Sequence, residues 1–179
     1  MKKKKLLKGS GANLMMSIFD VGMFAIKNCK KNPEIMFAII MTESGGDEKA
    51  QSYCARGLTQ MTKVALEDVR RISKQEWYFD DLFDPFIALK SAEVYFEYLL
   101  QSFKGHKLFA VLAYSWGIGN TYRWIRSEPD NSKIDEMIPP TKKDYIFNFL
   151  YWENYFLKNI NIPLNDQTPK ILFLKPVRF

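Results

Sequence analysis

The sequence predicts a single all-α domain, residues 13–160, followed by an extended C-terminal arm, residues 161–179. Three observations predict this organisation. A length of 179 residues fits one ordinary domain better than two. Apolar residues recur at helical spacing along most of the chain, and glycines or prolines separate the periodic segments. Hydrophobic residues make up 47% of the chain, which is enough for a packed core and excludes global disorder.

The first two predicted helices form the start of the domain. The first spans residues 13–31 and has apolar residues at helical spacing, namely Leu14, Ile18, Val21 and Ala25. The second begins at Asn32, its predicted N-cap, with Pro33 in its first turn. Because residues 35–41 are apolar on nearly every face, this helix is predicted to lie at the centre of the domain. It is expected to stop within residues 42–46, where two glycines occur.

The remaining helices follow a predicted loop at residues 47–56. Thr62 is expected to cap a helix that runs to about Ser73, and Asp84 with Pro85 is expected to open the next helix. Further helices are predicted over three ranges, 107–116, 122–125 and 143–157. The arm that follows contains three prolines and is therefore predicted to be extended.

The charge of the chain favours an anionic partner. Lysines and arginines outnumber aspartates and glutamates by 26 to 20, which gives a net charge of +6. No recognition helix or RNA-binding pattern is present, so nucleic acid is not expected as the partner. No apolar run of about 18 residues exists, so no membrane span is expected. The basic stretch at residues 1–12 lacks the clean apolar segment of a secretory signal, and a solvated tail is the preferred interpretation.

The few cysteines and histidines limit the catalytic chemistry. Cys29 and Cys54 are too few for a disulfide scaffold or a cysteine-only zinc site, although a bond between them stays open. His106 is the single histidine, which excludes a histidine-rich metal site. The aspartates at residues 80–84 lack the alternating spacing and the glycine of a calcium loop. We therefore expect carboxylate chemistry with no metal and no other cofactor.

Glu43 is the strongest candidate for a catalytic residue. It ends the most apolar helix and precedes a loop of serine and glycine. Glutamates are rarely placed in an apolar setting without a partner or a function. Desolvation there is expected to raise the pKa of Glu43, as a general acid requires. Position alone leaves open the alternative of a surface glutamate at a frayed helix end.

Four segments, spread over residues 33–156, combine polar and aromatic residues in a characteristic order. They are Glu43-Ser44 with Ser52 and Gly57-Leu58-Thr59-Gln60-Met61; Asp84-Pro85 with Tyr95; Ala113-Tyr114-Ser115-Trp116-Gly117-Ile118-Gly119; and Tyr145. Together they resemble the catalytic signature of the soluble lytic transglycosylases, the SLT-domain family of the lysozyme-like superfamily. The resemblance implies an all-α fold of the goose-type lysozyme and SLT class.

The resemblance also implies an activity on peptidoglycan. The β-1,4 bond between N-acetylmuramic acid and N-acetylglucosamine would be cleaved with formation of 1,6-anhydromuramic acid. Glu43 would act first as acid and then as base, and the substrate's 2-acetamido group would replace a second enzyme carboxylate. The resemblance implies a set of substrate-binding residues: Ser52, Gln60, Met61, Tyr114, Ser115 and Tyr145.

Several residues depart from the family pattern. Thr59 replaces a methionine, Ser115 replaces an asparagine, and Trp116 replaces a small residue. Thr141 stands where a supporting glutamate is expected, and Cys54 stands where a glycine is usual. These departures leave the acid in place and leave the fine specificity for the glycan open.

Two other functions stay open. A hydrolytic muramidase of the same fold needs a second acid to activate water, for which Asp47 and Asp80 are the nearby candidates. A non-catalytic protein that binds or assembles the wall is the other alternative, and the departures at Ser115 and Thr141 motivate it. The expected location is the periplasm or cell envelope. Wall turnover, a secretion apparatus and a phage remain alternative settings.

Overall fold

The computed structural model describes residues 15–127 and 138–160. Within them it is predominantly helical, which confirms the predicted all-α class. The predicted basic tail at residues 1–12 and the predicted arm at residues 161–179 lie outside the described residues. None of the helices in the described part combines the length and the hydropathy needed to cross a membrane.

The described elements are helices of 9 to 20 residues, one 3-10 helix and one small hairpin. In chain order the helices are α1 (Ile18–Asn28), α2 (Pro33–Glu43), α3 (Lys63–Ser73), α4 (Pro85–Ser102), α5 (Lys107–Trp116), α6 (Ile118–Arg126) and α7 (Pro140–Asn159). A 3-10 helix, Phe79–Phe83, precedes α4. Two strands, β1 (Ala55–Arg56) and β2 (Met61–Thr62), pair in antiparallel orientation before α3.

Helix α2 lies at the centre of the domain, as predicted. Residues 34–41 are all buried, so the helix buries every face. The Phe37 ring has no exposed surface and contacts three rings of α7, those of Trp152, Tyr155 and Phe156, at centroid distances of 6.2, 6.4 and 5.1 Å. Glu43 at the other end of α2 meets Tyr145 of α7. The two helices are therefore antiparallel, which brings the start of α7 beside the end of α2.

The capping predictions hold at two of three helix starts. The Thr62 hydroxyl accepts a hydrogen bond from the backbone N–H of Ala65 at 3.2 Å. Asp84 caps α4 in the same way, with Oδ1 at 2.8 and 3.1 Å from two backbone nitrogens. Asn32 occupies the N-cap position of α2, but its backbone is left-handed, with φ of 51°, and its side chain makes no capping bond.

Several predicted boundaries were wrong. Helix α6 starts directly after Gly117 and is longer than the predicted 122–125, because Gly119 is helical and does not end a helix. Helix α7 starts at Pro140, since a proline in the first turn needs no N–H partner. The predicted loop at residues 47–56 ends in β1, which pairs with β2 across the turn at residues 57–60. Local periodicity does not reveal a pair of two-residue strands.

Candidate active site

Glu43 is the last residue of α2, and its neighbour Ser44 connects that helix end to the hairpin turn. The Ser44 hydroxyl donates a hydrogen bond to the backbone carbonyl of Leu58 at 2.8 Å. Gly45 and Gly46 follow with φ of 63° and 94°, so the chain turns away immediately after the helix. This local sequence leaves the half-buried Glu43 carboxyl group at the edge of the core.

The environment of the Glu43 carboxyl group favours its protonated form. Burial raises the pKa of Glu43 from 4.5 to about 7. A hydrogen bond from Tyr145 and the positive charge of Lys142 counteract part of this shift. The Tyr145 hydroxyl donates to Oε1 of Glu43 at 2.8 Å. Near neutral pH the carboxyl group can therefore give up a proton and take one back.

Two tyrosines lie beside this carboxyl group. Burial raises the pKa of Tyr145 and of Tyr114 well above 10, and the negative charge of Glu43 adds to the effect. Both hydroxyls are thus protonated donors. Tyr114 donates to the backbone carbonyl of Thr59 at 3.0 Å, and its ring packs edge-on against Tyr95 at 5.7 Å. Tyr145 therefore contacts the acid directly, whereas Tyr114 holds the hairpin turn next to it.

The turn at residues 57–60 is built around Gly57. A Cβ at this position would lie 1.8 Å from the backbone oxygen of Leu82, and φ is 74°. The Gln60 side-chain amide donates to the carbonyls of Ala50 and Gly57 at 2.9 and 3.0 Å. Its amide nitrogen is therefore engaged within the protein. Met61 is 1% exposed and belongs to the core, so it anchors the end of the turn in the core.

The two predicted serines have different surroundings. Ser52 is exposed, and its hydroxyl accepts a hydrogen bond from the backbone N–H of Ala55 at 3.1 Å. Ser115 lies near the end of α5, where its hydroxyl and its carbonyl accept hydrogen bonds from the Lys142 ammonium at 3.0 and 2.9 Å. The structure thus brings Tyr145 and Tyr114 beside the acid through α7 and α5. Ser115 contacts Lys142, and Ser52 makes a local turn contact.

The comparison with protein families decides the assignment. A family model described as the transglycosylase SLT domain matches residues 23–137, which is more than half of the chain. This chain belongs to the SLT family. The resemblance read from the sequence is thereby confirmed, and with it the placement in a family of lytic transglycosylases. A comparison with curated proteins found no match.

Solved structures share the fold of this SLT domain. The 70 kDa soluble lytic transglycosylase of Escherichia coli is 23% identical, with a TM-score of 0.64 over 76% of this chain and 23% of that one. The 70 kDa soluble lytic transglycosylase in complex with bulgecin A is 22% identical, with a TM-score of 0.65 over 78% of this chain and 24% of that one. An inactive mutant of lytic transglycosylase Slt from Pseudomonas aeruginosa is 21% identical, with a TM-score of 0.67 over 80% of this chain and 24% of that one. This chain spans about a quarter of the length of these proteins.

Sequence reasoning missed Lys142. It lies three residues before Tyr145, a spacing that puts both residues on the same side of a helix, and this was the available signal. The departure at Thr141 had drawn attention to a missing carboxylate, and Thr141 is exposed. The next residue instead places an ammonium group near Glu43. In this chain, the positive charge of Lys142 therefore acts on Glu43.

The candidate second acids are engaged elsewhere. Asp80 forms an ion pair with Arg56, and the Asp80 side chain is 82% exposed. Asp47 accepts a hydrogen bond from the backbone N–H of Lys49 at 2.9 Å. Neither carboxylate contributes to the pKa shift of Glu43. Across residues 15–127 and 138–160, no group of three potential ligands could hold a metal ion.

Proposed function

We propose that this SLT domain is a peptidoglycan lytic transglycosylase. It cleaves the β-1,4 bond between N-acetylmuramic acid and N-acetylglucosamine and forms 1,6-anhydromuramic acid. The observation that carries the proposal is the Glu43 carboxyl group, whose pKa is raised to about 7 by burial while Tyr145 donates a hydrogen bond to it at 2.8 Å. An acid with a pKa near the working pH serves both proton transfers of the reaction.

In the first step, protonated Glu43 acts as a general acid. Its proton passes to the glycosidic oxygen while the bond from that oxygen to C1 breaks, and the bonding electrons remain on the departing oxygen. The carbonyl oxygen of the 2-acetamido group stabilises the positive charge that develops at C1. The Tyr145 hydroxyl stabilises the Glu43 carboxylate that this step produces, because its hydrogen bond favours the ionised form.

In the second step, ionised Glu43 acts as a general base. It takes the proton of the C6 hydroxyl while that oxygen forms a bond to C1 and the acetamido oxygen is released. Glu43 is then protonated again, and no water is consumed. The reaction gains from proximity, since the attacking hydroxyl belongs to the same sugar.

The engagement of Asp47 and Asp80 supports a mechanism with one carboxylate. A hydrolytic muramidase needs a second acid to activate water, and Asp80 is paired with Arg56 while Asp47 caps its own turn. A protein that only binds the wall has no use for a desolvated carboxyl group, since burial of that group destabilises the fold at neutral pH. A transglycosylase mechanism therefore explains the single desolvated carboxyl group better than a muramidase or a protein that only binds the wall.

The other predicted site residues would act at the rim or behind it. Tyr145 contacts Glu43 and Ser115 contacts Lys142, so both would touch the sugar, whereas Gln60, Met61 and Tyr114 would hold the turn at residues 57–60. Ser52 is exposed at the hairpin and would contact a more distant part of the glycan strand. The net charge of +6 would attract an anionic glycan, and the location would be the cell envelope.

Digestion of purified peptidoglycan tests the function. Wild type and Glu43→Gln are incubated with the polymer, and the products are identified by mass spectrometry. Muropeptides that end in 1,6-anhydromuramic acid, absent with the variant, are the expected result. Reducing ends that carry an added water would favour the muramidase, and binding of the wall without cleavage by the wild type would refute the enzyme.

A further inference from the structure

Lys142 connects the start of α7 to the end of α5. Its ammonium group donates hydrogen bonds to the backbone carbonyl and the hydroxyl of Ser115, at 2.9 and 3.0 Å. Ser115 is in the last turn of α5, where backbone carbonyls lack helical partners and the helix dipole is negative. The lysine is half-buried, so its position is set by these two acceptors and by the packing around its stem.

The same turn of α7 carries Tyr145, which donates its hydrogen bond to Glu43. Lys142 and Tyr145 are three residues apart and therefore lie on one side of the helix. The ammonium charge acts on Glu43 through space and favours its ionised form, while the two hydrogen bonds of the ammonium group go to Ser115. The lysine is thus held by Ser115 of α5, while its charge acts on Glu43.

The titratable groups that interact with Glu43 in the described part of the chain come from these two helices. They are Lys142 and Tyr145 of α7 and Tyr114 of α5. Both tyrosines are neutral near pH 7, because burial raises their pKa values well above 10. Among the three groups, Lys142 is the charged one.

We propose that Lys142 is a positioning residue of the reaction, which acts on Glu43 through its charge and holds Ser115 through two hydrogen bonds. The proposal rests on the proposed function and deepens it. Desolvation without an opposing charge would raise the pKa of Glu43 beyond about 7, so the carboxyl group would give up its proton less readily in the first step. The lysine charge opposes this by stabilising the carboxylate that forms when Glu43 has given up its proton. It remains there while the carboxylate takes the C6 proton.

Three substitutions separate the charge from the hydrogen bonds. Lys142→Met removes both and keeps most of the stem, Lys142→Gln keeps a donor for Ser115 without the charge, and Lys142→Arg keeps the charge. Lys158→Met is the matched control, since it removes the same charge from an exposed position at the other end of α7. Thermal unfolding of each variant establishes that it is folded.

The first measurement is an NMR titration of the Glu43 side-chain carboxyl carbon, assigned with Glu43→Gln. We expect the titration midpoint of Glu43 to move to higher pH in Lys142→Met and Lys142→Gln, and to stay near the wild-type value in Lys142→Arg and Lys158→Met. The second measurement is the pH profile of peptidoglycan cleavage, whose alkaline limb should move in the same direction in the two uncharged variants.

The titration needs no substrate, so the two proposals can fail separately. A wild type that does not cleave peptidoglycan refutes the proposed function and leaves the titration to decide on Lys142. An unchanged Glu43 midpoint in folded Lys142→Met or Lys142→Gln overturns the role of the charge. A Lys142→Gln variant with both the midpoint and the pH profile of the wild type leads to the same conclusion.

Discussion

Replacement of Glu43 by glutamine should stabilise the domain, and the gain should depend on pH. Glutamine has nearly the same shape, and its side-chain oxygen can still accept the Tyr145 hydrogen bond. It has no charge to desolvate at this half-buried position. The free energy of unfolding of the variant should therefore exceed that of the wild type wherever Glu43 is ionised in the folded or unfolded chain.

The magnitude follows from the pKa of Glu43, which is raised from 4.5 to about 7 in the folded chain. Below pH 4.5 the Glu43 carboxyl group is protonated in both the folded and the unfolded chain, so it does not lower the free energy of unfolding of the wild type. As pH rises toward 7, the unfolded chain loses this proton first, so the wild type is destabilised by about 1.4 kcal/mol per pH unit. Solvent reaches the half-buried group, and the total difference above pH 7 is expected to be about 2–3 kcal/mol.

Urea unfolding of the wild type and Glu43→Gln between about pH 4 and pH 9 measures this difference directly. Glu76→Gln is the matched control, because it removes a carboxylate from an exposed position. Equal free energies of unfolding for Glu43→Gln and the wild type at every pH would show that burial does not perturb this carboxyl group. The assignment of Glu43 as an acid poised near neutral pH would then lose its physical basis.

Two further substitutions test the site and the turn that supports it. Tyr145→Phe removes the hydrogen bond to ionised Glu43, so the activation free energy of cleavage should rise by about 1.5–3 kcal/mol. The alkaline limb of the pH profile of cleavage should move to higher pH. Tyr114→Phe is the control, since that hydroxyl bonds a backbone carbonyl, and equal pH profiles for the two variants would refute the role of Tyr145. Gly57→Ala places a Cβ 1.8 Å from the oxygen of Leu82 at a φ of 74°, and it should lower the free energy of unfolding by about 2 kcal/mol or more. Gly119→Ala, in helix α6 with open space around it, should be neutral or stabilising in the same urea titration, and equal effects of the two alanines would contradict the reasoning.

Some features of the fold and the site could be predicted because their causes lie within a few residues. The caps at Thr62 and Asp84 depend on side chains that bond the backbone two or three positions further on. The burial of α2 follows from a run that is apolar on every face. Glu43 could be selected because it stands at the end of that run, where desolvation raises the pKa of a carboxyl group.

Other features could not be derived from local sequence patterns, because they join residues that are distant in the chain. Tyr145 meets Glu43 across 102 positions, Lys142 meets Ser115 across 27, and local periodicity contains no information on either contact. The burial of Met61 and the engagement of Gln60 likewise depend on how the hairpin turn packs against the rest of the domain.

The sequence by itself determined that the chain is helical, that its central helix ends in an acid and that the family is that of the SLT domain. The tertiary structure alone decided how that acid ionises. In the packed domain Glu43 is desolvated, the Tyr145 hydroxyl bonds its carboxyl group, and the charge of Lys142 acts on it. Desolvation and Coulomb interactions depend on distances in space, and those distances exist only when the helices have packed.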